Sequence, residues 1–222
     1  MFRHPQFTLA MTLVAGAAIT SAAHAEGPVT FAVSIESITS NETLTLPDGR
    51  RTRAPISPGL YVVSKDKFVF FTPGQPAGTA LESLAEDGNP TPLIAALNHG
   101  RSSPIAQPFL HNEDFTITAE PGDRLHFAVM FVQSNDLVYA PQEGGMDLFT
   151  ADGQPVSGEL TASVALWDAG TEVNQPPGVG SDQAPRQAAP NTGASENGVL
   201  RRIDEASYPP AASVIRVTVA PE

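Results

Sequence analysis

Hydrophobic and polar residues alternate along several stretches of this chain. The alternation is regular over residues 29–36 and 115–119, and a period of two residues is typical of a β-strand with one buried face. Residues 213–219 are predicted to form a final strand. Residues 124–133 are instead apolar at nearly every position, which predicts a central strand buried on both faces. His126 lies within this run, so we interpret it as a buried, hydrogen-bonded histidine rather than a catalytic one.

The region between the first two of these strands holds further strands and the helices. Residues 56–63 form a β-branched and aromatic run, which residues 68–71 are predicted to continue after a polar turn. Residues 79–88 have helical spacing and end at a glycine, and a second short helix is predicted over 93–97. Residues 99–112 contain proline, serine and glycine and are predicted to form a loop.

The order of these elements predicts the fold class. Short strands separated by turn signals, with almost no helix, are typical of an antiparallel β-sandwich. Residues 173–200 are rich in proline, glycine and polar side chains, which predicts a long loop. Because a clean strand follows, this loop fits a Greek-key connection better than a linker between domains. We expect an all-β, antiparallel Greek-key β-sandwich of about eight strands, with one or two short helices.

The first 25 residues have the pattern of an export signal. Arg3 precedes an apolar run over residues 9–19, and residues 23–25, Ala-His-Ala, fit a signal-peptidase site. No later stretch approaches the roughly 20 apolar residues that a membrane-spanning helix needs. We therefore expect a signal peptide over residues 1–25, a single domain over residues 26–222, and an exported protein that is periplasmic or secreted.

Charge and cysteine content exclude several classes of site. Removal of residues 1–25 from the 222 leaves 197 residues, with 11 basic and 24 acidic side chains and a formal charge of −13. Such a surface repels nucleic acid and anionic membranes, and it attracts cations. The chain has no cysteine, which excludes disulfides, thiolate metal ligands and a cysteine nucleophile. We expect a monomer without a nucleic-acid partner.

Residues 166–172, Leu-Trp-Asp-Ala-Gly-Thr-Glu, form the strongest candidate site. Trp167 is the only tryptophan, and two carboxylates, Asp168 and Glu172, follow it four residues apart. Gly170 lies between them and permits a positive φ and a tight turn. Oxygen ligands on a folded-back loop suit a hard cation such as calcium. The alternative is that both acids are turn formers that follow a strand.

Signatures of the common enzyme classes are missing. The sequence has no Gly-x-Ser-x-Gly, His-Glu-x-x-His, phosphate-loop or EF-hand pattern. His111 lies near Glu113 and Asp114 but has no further ligands beside it, so we interpret this stretch as a solvated loop. A glycosidase-type pair of carboxylates stays open, because a chain with 24 acids always allows one. The balance predicts no catalytic activity.

The motif around Trp167 and four further segments resemble the spondin domain family, in its bacterial stand-alone members. The further segments are residues 72–77 (Thr-Pro-Gly-Gln-Pro-Ala), 84–88 (Leu-Ala-Glu-Asp-Gly), 131–137 (Phe-Val-Gln-Ser-Asn-Asp-Leu) and 183–187 (Gln-Ala-Pro-Arg-Gln). Together they span nearly all of the chain that follows the signal peptide, in the order of the family. The Trp-Asp-Ala-Gly-Thr-acid motif is the most specific of them.

The resemblance implies a β-sandwich like that of calcium-dependent membrane-binding domains, in a secreted protein associated with adhesion and extracellular binding. Carried over by motif, it implies calcium ligands at Asp168, Glu172 and Asp136. Animal members usually have aspartate at the position of Glu172, so the longer side chain changes the reach there. Cysteines common in animal members are missing, and animal members join this domain to others, so their receptors do not transfer.

The sequence therefore predicts an exported calcium-binding adhesion or interaction module without catalytic activity, whose partner is an extracellular or envelope protein or glycan. Two alternatives stay open. The first is an envelope hydrolase that uses acidic residues at the same end of the sandwich. The second is a structural envelope protein whose acids only order loops.

Overall fold

The computed structural model describes residues 27–103, 105–204 and 206–222, so the signal peptide predicted over residues 1–25 lies outside the described residues. The strands are β1 Val29–Ser37, β2 Leu44–Thr45, β3 Arg51–Thr52, β4 Ile56–Ser64, β5 Ala106–Phe109, β6 Phe115–Ala119, β7 Arg124–Phe131, β8 Leu137–Pro141, β9 Met146–Asp147, β10 Gly158–Glu159, β11 Val164–Asp168, β12 Arg201–Ile203 and β13 Ile215–Pro221. The α-helices are α1 Thr79–Asp87 and α2 Thr91–Asn98, and short 3-10 turns cover Thr161–Ser163 and Ala211–Ser213.

Two antiparallel sheets form the body of the fold. The smaller has the strand order β10-β13-β1-β6, and the larger has the order β12-β11-β8-β7-β4-β5, with β9 paired to β7. β2 and β3 form a separate two-stranded ribbon. Eight of the described strands have four or more residues, and neighbours such as β1 and β13 are distant in sequence. The predicted all-β, antiparallel sandwich is confirmed.

The core between the sheets comes from the alternating strands. Phe31, Val33 and Ile35 of β1 are at most 1 % exposed, and they belong to one apolar cluster with Phe127 of β7. Ile35 lies opposite Val217 of the last long strand, β13. The period-two pattern therefore places one face of the smaller sheet against the larger sheet.

β7 is buried on both faces because the helices cover the outer face of the larger sheet. Phe127 points into the core between the sheets, whereas Ala128 packs in a second cluster that contains Leu81 of α1. His126 is 2 % exposed, and its Nε2 lies 3.4 Å from the carbonyl oxygen of Ser64. Burial lowers the pKa of His126. The interpretation of this residue as a buried, hydrogen-bonded histidine is confirmed.

Both predicted helices are present. α1 ends at Gly88, which has a φ of 66° and donates its backbone N–H to the carbonyl oxygen of Leu84 at 3.0 Å. This left-handed cap favours glycine, as the sequence indicated. α2 has proline in its first turn, where a missing N–H is tolerated. Over the described ranges, neither these helices nor any other is long and apolar enough to cross a membrane.

The strand predicted over residues 68–71 is wrong. Phe68 has a φ of 53°, which breaks an extended strand. The aromatic rings pack instead on the outer face of the larger sheet, where the ring centroids of Phe68 and Phe71 lie 6.2 and 5.1 Å from that of Trp167. Burial of these rings against Trp167 therefore replaces strand pairing at this point.

The loop predicted over residues 99–112 is wrong in its second half, because residues 106–109 form β5. Phe109 lies opposite Gly59 of β4, and its ring fills the space that a side chain at Gly59 would need. β5 is an edge strand and contains Pro108. Proline is tolerated on an edge strand because its missing N–H can face outward, so its presence did not mark a loop here.

Two connections, the turn before β8 and the loop between β11 and β12, meet at one end of the larger sheet. β8 begins there, and Leu137 in β8 lies opposite Asp168 at the end of β11. Asp168 in turn lies opposite Arg201, the first residue of β12. Residues 169–200, which join β11 to β12, therefore leave and return at the same end of the sandwich. This end carries the candidate site.

Candidate metal centre

Asp136 and Asp168 come together because antiparallel strands carry them. Asp136 directly precedes β8, and Asp168 is the last residue of β11. In an antiparallel pair the start of one strand lies beside the end of its neighbour, and β8 and β11 are paired in this way. Both residues are 0 % exposed. The turn before β8 and the end of β11 thus bury two carboxylates side by side.

The third acid of this cluster is Glu196, which the sequence did not indicate. Asp136, Asp168 and Glu196 each offer a carboxylate oxygen, and these oxygens all lie within 4.8 Å of one another. Glu196 reaches this position because its backbone N–H donates to the carbonyl oxygen of Thr171 at 2.9 Å. No motif marks Glu196 in the sequence, since a long irregular loop brings it back to the strand ends. We call these three residues the acidic cluster.

Asp136 is held by backbone groups on one side only. Its Oδ2 accepts hydrogen bonds from the backbone N–H groups of Thr171 at 2.7 Å and Glu172 at 3.1 Å, and from the Thr171 hydroxyl at 3.2 Å. Its Oδ1 is buried and has no hydrogen-bond partner. Burial, with the nearby charge of Asp168, raises the pKa of Asp136 to about 7. Such an orphaned carboxylate oxygen is costly unless a ligand or a proton satisfies it.

Asp168 is oriented by the turn that follows it. Its Oδ1 accepts a hydrogen bond from the backbone N–H of Gly170 at 2.7 Å, and Gly170 has a φ of 70°. Its Oδ2 accepts from Asn174 Nδ2 at 2.6 Å and from Arg201 at 2.7 Å. Burial raises the pKa of Asp168, although these hydrogen bonds and the charge of Arg201 oppose the shift. The positive φ predicted for Gly170 is therefore present, and it supports a carboxylate of the cluster.

Glu172 lies beside the cluster but its carboxylate points elsewhere. Its Oε1 accepts a hydrogen bond from the backbone N–H of Gly193 at 2.7 Å, and its Oε2 accepts from Asn135 Nδ2 at 3.1 Å. Its backbone N–H is what contributes to the centre, by donating to Asp136. Of the three ligands implied by the resemblance, the structure brings together Asp136 and Asp168. Glu172 closes the loop, and Glu196 completes the acidic cluster.

A fourth buried acid, Glu86, lies close to this centre at the end of α1. It is 2 % exposed, and its Oε2 has no hydrogen-bond partner. Burial raises its pKa to about 7, and the charges of Glu172, Glu82 and Asp136 add to the effect. Several buried acids therefore lie close together at this end of the sandwich, and their burial and mutual repulsion oppose ionisation.

The long loop is packed onto this end of the molecule rather than extended from it. Gln183 is 0 % exposed, and Arg186 donates to Gln133 Oε1 at 3.1 Å through both terminal nitrogens. Gln187 Nε2 donates to Asp87 of α1 at 2.9 Å. These loop residues belong to a segment that carried the resemblance, and their contacts tie the loop to α1 and to the turn after β7.

The histidines singled out in the sequence, His126 and His111, lie away from the acidic cluster. His126 is near the first residue of β7, whereas Asp136 follows the last residue of that strand, so they are at opposite ends. His111 lies in the turn between β5 and β6. Within the part of the chain that the structure describes, the acidic cluster is the only group of three or more ligating side chains placed closely enough for a metal ion.

The donor set of the cluster decides which ions fit. All three side chains offer oxygen atoms, and neither imidazole nor thiolate belongs to the group. Oxygen-only sites select hard cations such as calcium, magnesium or manganese over zinc and copper. Three carboxylates carry a formal charge of −3, and the Arg201 guanidinium offsets one of them. The remaining charge and the orphaned Oδ1 of Asp136 fit a divalent cation.

A cleft of about 410 Å³ lies beside Asn174, which donates a hydrogen bond to Asp168 of the acidic cluster. It is lined by prolines, by Tyr208 and by Asn174 and Gln175, which lie near the start of the long loop. Asn174 connects the two features because its Nδ2 donates to Asp168. A partner seated in this cleft would therefore contact a residue that orients a carboxylate of the cluster.

A scan against protein-family models and a search of curated proteins find no match for this chain. The resemblance to the spondin domain family therefore rests on the segments quoted above.

Proposed function

We propose that this chain is an exported calcium-binding adhesion or interaction module of the spondin type, without catalytic activity. The observation that carries the proposal is the buried cluster of Asp136, Asp168 and Glu196, in which Asp136 Oδ1 has no hydrogen-bond partner. Calcium takes six to eight oxygen ligands in a flexible geometry, which loops can supply. Carboxylates of the cluster, with loop carbonyl groups and water, would make up that number.

Calcium is preferred to magnesium because of how the ligands are held. Magnesium demands a near-ideal octahedron and keeps several waters, whereas calcium accepts irregular, carboxylate-rich sites. The ligands here come from a turn, a strand end and a long loop, which is an irregular arrangement. An extracellular or periplasmic location also suits calcium, and the sequence of residues 1–25 supports export. N-terminal sequencing of the exported protein should begin at Glu26, and a protein that keeps Met1 would contradict export.

An adhesion or interaction role fits the position of the site. The long loop over residues 169–200 has Asn174 near its start and Glu196 near its end, so an ion bound to the cluster would fix both ends of the loop. The cleft beside Asn174 offers a surface whose shape depends on that loop. An extracellular or envelope protein or glycan would then be bound in a calcium-dependent manner. A pull-down on intact cells, with calcium and with a chelator, tests this part of the proposal.

The hydrolase alternative has one observation in its favour. The pKa of Glu86 and of Asp136 is raised to about 7, which is the range of a general acid. Both residues are at most 2 % exposed, so a glycan has no route to them in this conformation. Release of reducing ends from envelope glycans, lost in Asp136→Asn, would favour the hydrolase over the binding module.

Thermal melting of metal-stripped protein tests the calcium site. A ligand that binds only the folded state adds about 2.7 kcal/mol at a hundred times its dissociation constant. Each kcal/mol raises the melting temperature of a domain of this size by roughly 2–4 °C, so a rise of about 5–10 °C is expected with millimolar calcium. Trp167 adjoins Asp168, so its emission should change in the same titration. No change in either signal would contradict the proposal.

A further inference from the structure

Arg201 already makes the contacts with the acidic cluster that a cation would make. Its guanidinium lies 2.7 Å from Asp168 Oδ2, and it lies 3.0 Å from Glu196 Oε1. The strand register produces this arrangement, because Arg201 of β12 is directly opposite Asp168 of β11. Side chains directly opposite each other on neighbouring strands point to the same face of the sheet. Arg201 is thus built into the fold as a counter-ion of two of the three acids.

The third acid makes no direct contact with this guanidinium. Asp136 makes its hydrogen bonds through Oδ2 alone, and Oδ1 has no partner. The guanidinium therefore neutralises the cluster in part, and the buried Oδ1 of Asp136 is left unsatisfied. A divalent cation carries twice the charge of a guanidinium and can bind several oxygens at once. It would satisfy Asp136 as well as the two acids that Arg201 now contacts.

The two sides of this ion pair differ in how firmly they are held. The Asp168 side chain is 0 % exposed, and backbone N–H groups anchor it and Asp136, whereas the Arg201 side chain is 42 % exposed. Arg201 can turn outward on its flexible stem and keep its charge in water. The carboxylates have no such freedom. Exchange of the guanidinium for a metal ion therefore needs movement of one surface side chain.

We propose that Arg201 is the internal counter-ion of the metal-free centre, and that a divalent cation binds by displacing its guanidinium from Asp168 and Glu196. This inference rests on the proposed calcium-binding function and adds its regulation. Arg201 stabilises the folded protein when calcium is scarce, and it lowers the affinity for calcium because the ion must replace it. The centre then fills only at the high calcium concentrations found outside the cell.

Arg201→Gln tests the exchange, with Arg202→Gln as its matched control. Arg202 is the next residue on β12, lies opposite Trp167, and donates to Gln142 Oε1 at 3.2 Å. Both variants lose one positive charge from the same strand, so long-range charge effects are shared. Calorimetric titration of the metal-stripped protein with calcium chloride gives the dissociation constant, and melting without metal gives the stability.

Arg201→Gln should bind calcium roughly ten- to hundredfold more tightly than the wild type, the range expected when a charge-assisted hydrogen bond no longer competes. Its melting temperature without metal should fall. Arg202→Gln should change the dissociation constant by less than about threefold, because a solvent-exposed charge that does not contact the ligands has a small effect. A purely structural role for Arg201 would lower the melting temperature and leave the affinity unchanged.

The outcomes separate this inference from the function on which it rests. If the wild type binds calcium and Arg201→Gln binds equally or less tightly, Arg201 does not compete with the ion, and the inference is overturned while the calcium site stands. If neither protein binds calcium, both proposals fail. If Arg201→Gln does not fold without metal, Arg201→Lys replaces it. This variant keeps the charge but loses the two-pronged contact, so it should bind more tightly than the wild type by a smaller factor, and equal affinity would overturn the inference.

Discussion

Glu172 and Gly193 close the long loop on itself: the backbone N–H of Gly193 donates to Glu172 Oε1 at 2.7 Å, across 21 residues of chain. A second hydrogen bond joins Glu172 Oε2 to Asn135 Nδ2 at 3.1 Å. Both carboxylate oxygens of the glutamate implied as a calcium ligand are therefore hydrogen-bonded, one to the loop and one to the turn before β8. Its carboxylate and that of Glu196 have separate roles, although both residues lie at the ends of the same loop.

This division of roles predicts different effects for the same chemical change. Glu196→Gln removes a carboxylate from the acidic cluster and should weaken calcium binding by roughly tenfold or more, because each charged ligand contributes strongly to such sites. Glu172→Gln leaves the cluster intact and should change the dissociation constant much less. Calorimetric titration of both variants measures the difference. A larger loss of calcium affinity in Glu172→Gln than in Glu196→Gln would indicate that Glu172 is the ligand.

Gly193→Ala should destabilise the protein. A methyl group at this position would collide with the carboxylate of Glu172, which is 1 % exposed and has little room to move. Forcing extra volume into a packed site costs about 1–3 kcal/mol. Urea denaturation measures the loss. Gly27→Ala is the control, since a methyl group there meets nothing within 4 Å, and its effect should stay within about 0.5 kcal/mol. Equal effects of the two variants would contradict the close packing at Gly193.

The stability of the metal-free protein should depend on pH through Glu86. Its pKa is raised from 4.5 to about 7 in the folded protein, so the folded state binds a proton more tightly than the unfolded state does. The contribution of this group to the free energy of unfolding is greatest below pH 4.5, falls as the pH rises to about 7, and is constant above that. Glu86→Gln imitates the protonated acid. It should therefore raise the stability relative to the wild type more at pH 8 than at pH 5.

Glu82→Gln provides the matched control for this pH dependence. Glu82 lies one turn earlier on α1, where its Oε1 accepts a hydrogen bond from Asn191 Nδ2 at 3.0 Å. Its replacement removes the same charge from the same helix, but from a satisfied side chain. The difference between pH 8 and pH 5 should be clearly smaller than for Glu86→Gln. If both variants respond alike, general charge repulsion explains the effect, and the burial of Glu86 does not.

Limited proteolysis should cut first within residues 188–192 in the absence of calcium. These five residues are exposed and lie in the long loop, whereas β7 is buried along nearly its whole length. Exposed loop tips are the preferred sites of cleavage. Calcium should slow the cut, because an ion at Glu196 fixes the end of the loop that follows. Subtilisin digestion followed by mass spectrometry tests this, and an initial cut within residues 124–131 would contradict the fold.

Most of the fold was predictable from the sequence because several strands are buried on one face only, which gives a period-two pattern of apolar residues. The alternation over Phe31, Val33 and Ile35 directly reports the face that packs on the other sheet, and Gly88 marks the end of α1. Phe68 to Phe71 misled the prediction because aromatic residues favour strands and buried surfaces alike. Here tertiary packing on Trp167 overrides the local preference. β5 was not predicted because an edge strand of four residues shows too little alternation of apolar and polar positions.

The site was only partly predictable from the sequence. Asp168 was singled out by the motif around Trp167, and Asp136 by the resemblance; the pairing of β8 with β11 brings the two together. Glu196 could not be predicted, because its place depends on the path of an irregular loop and on one backbone hydrogen bond to Thr171. The position of Arg201 beside Asp168 likewise depends on the register of a three-residue strand. Neither loop path nor the register of so short a strand leaves a periodic signal.

The most direct test is an anomalous-scattering map from crystals of the exported protein grown with calcium. We expect one peak bound by the carboxylates of Asp136, Asp168 and Glu196, with Asp136 Oδ1 among its ligands and with the Arg201 guanidinium turned away from Asp168. Crystals grown with a chelator should show Arg201 in contact with Asp168 and Glu196, as here. A calcium-grown crystal without a peak among these three acids, and with Arg201 still in place, would contradict the account.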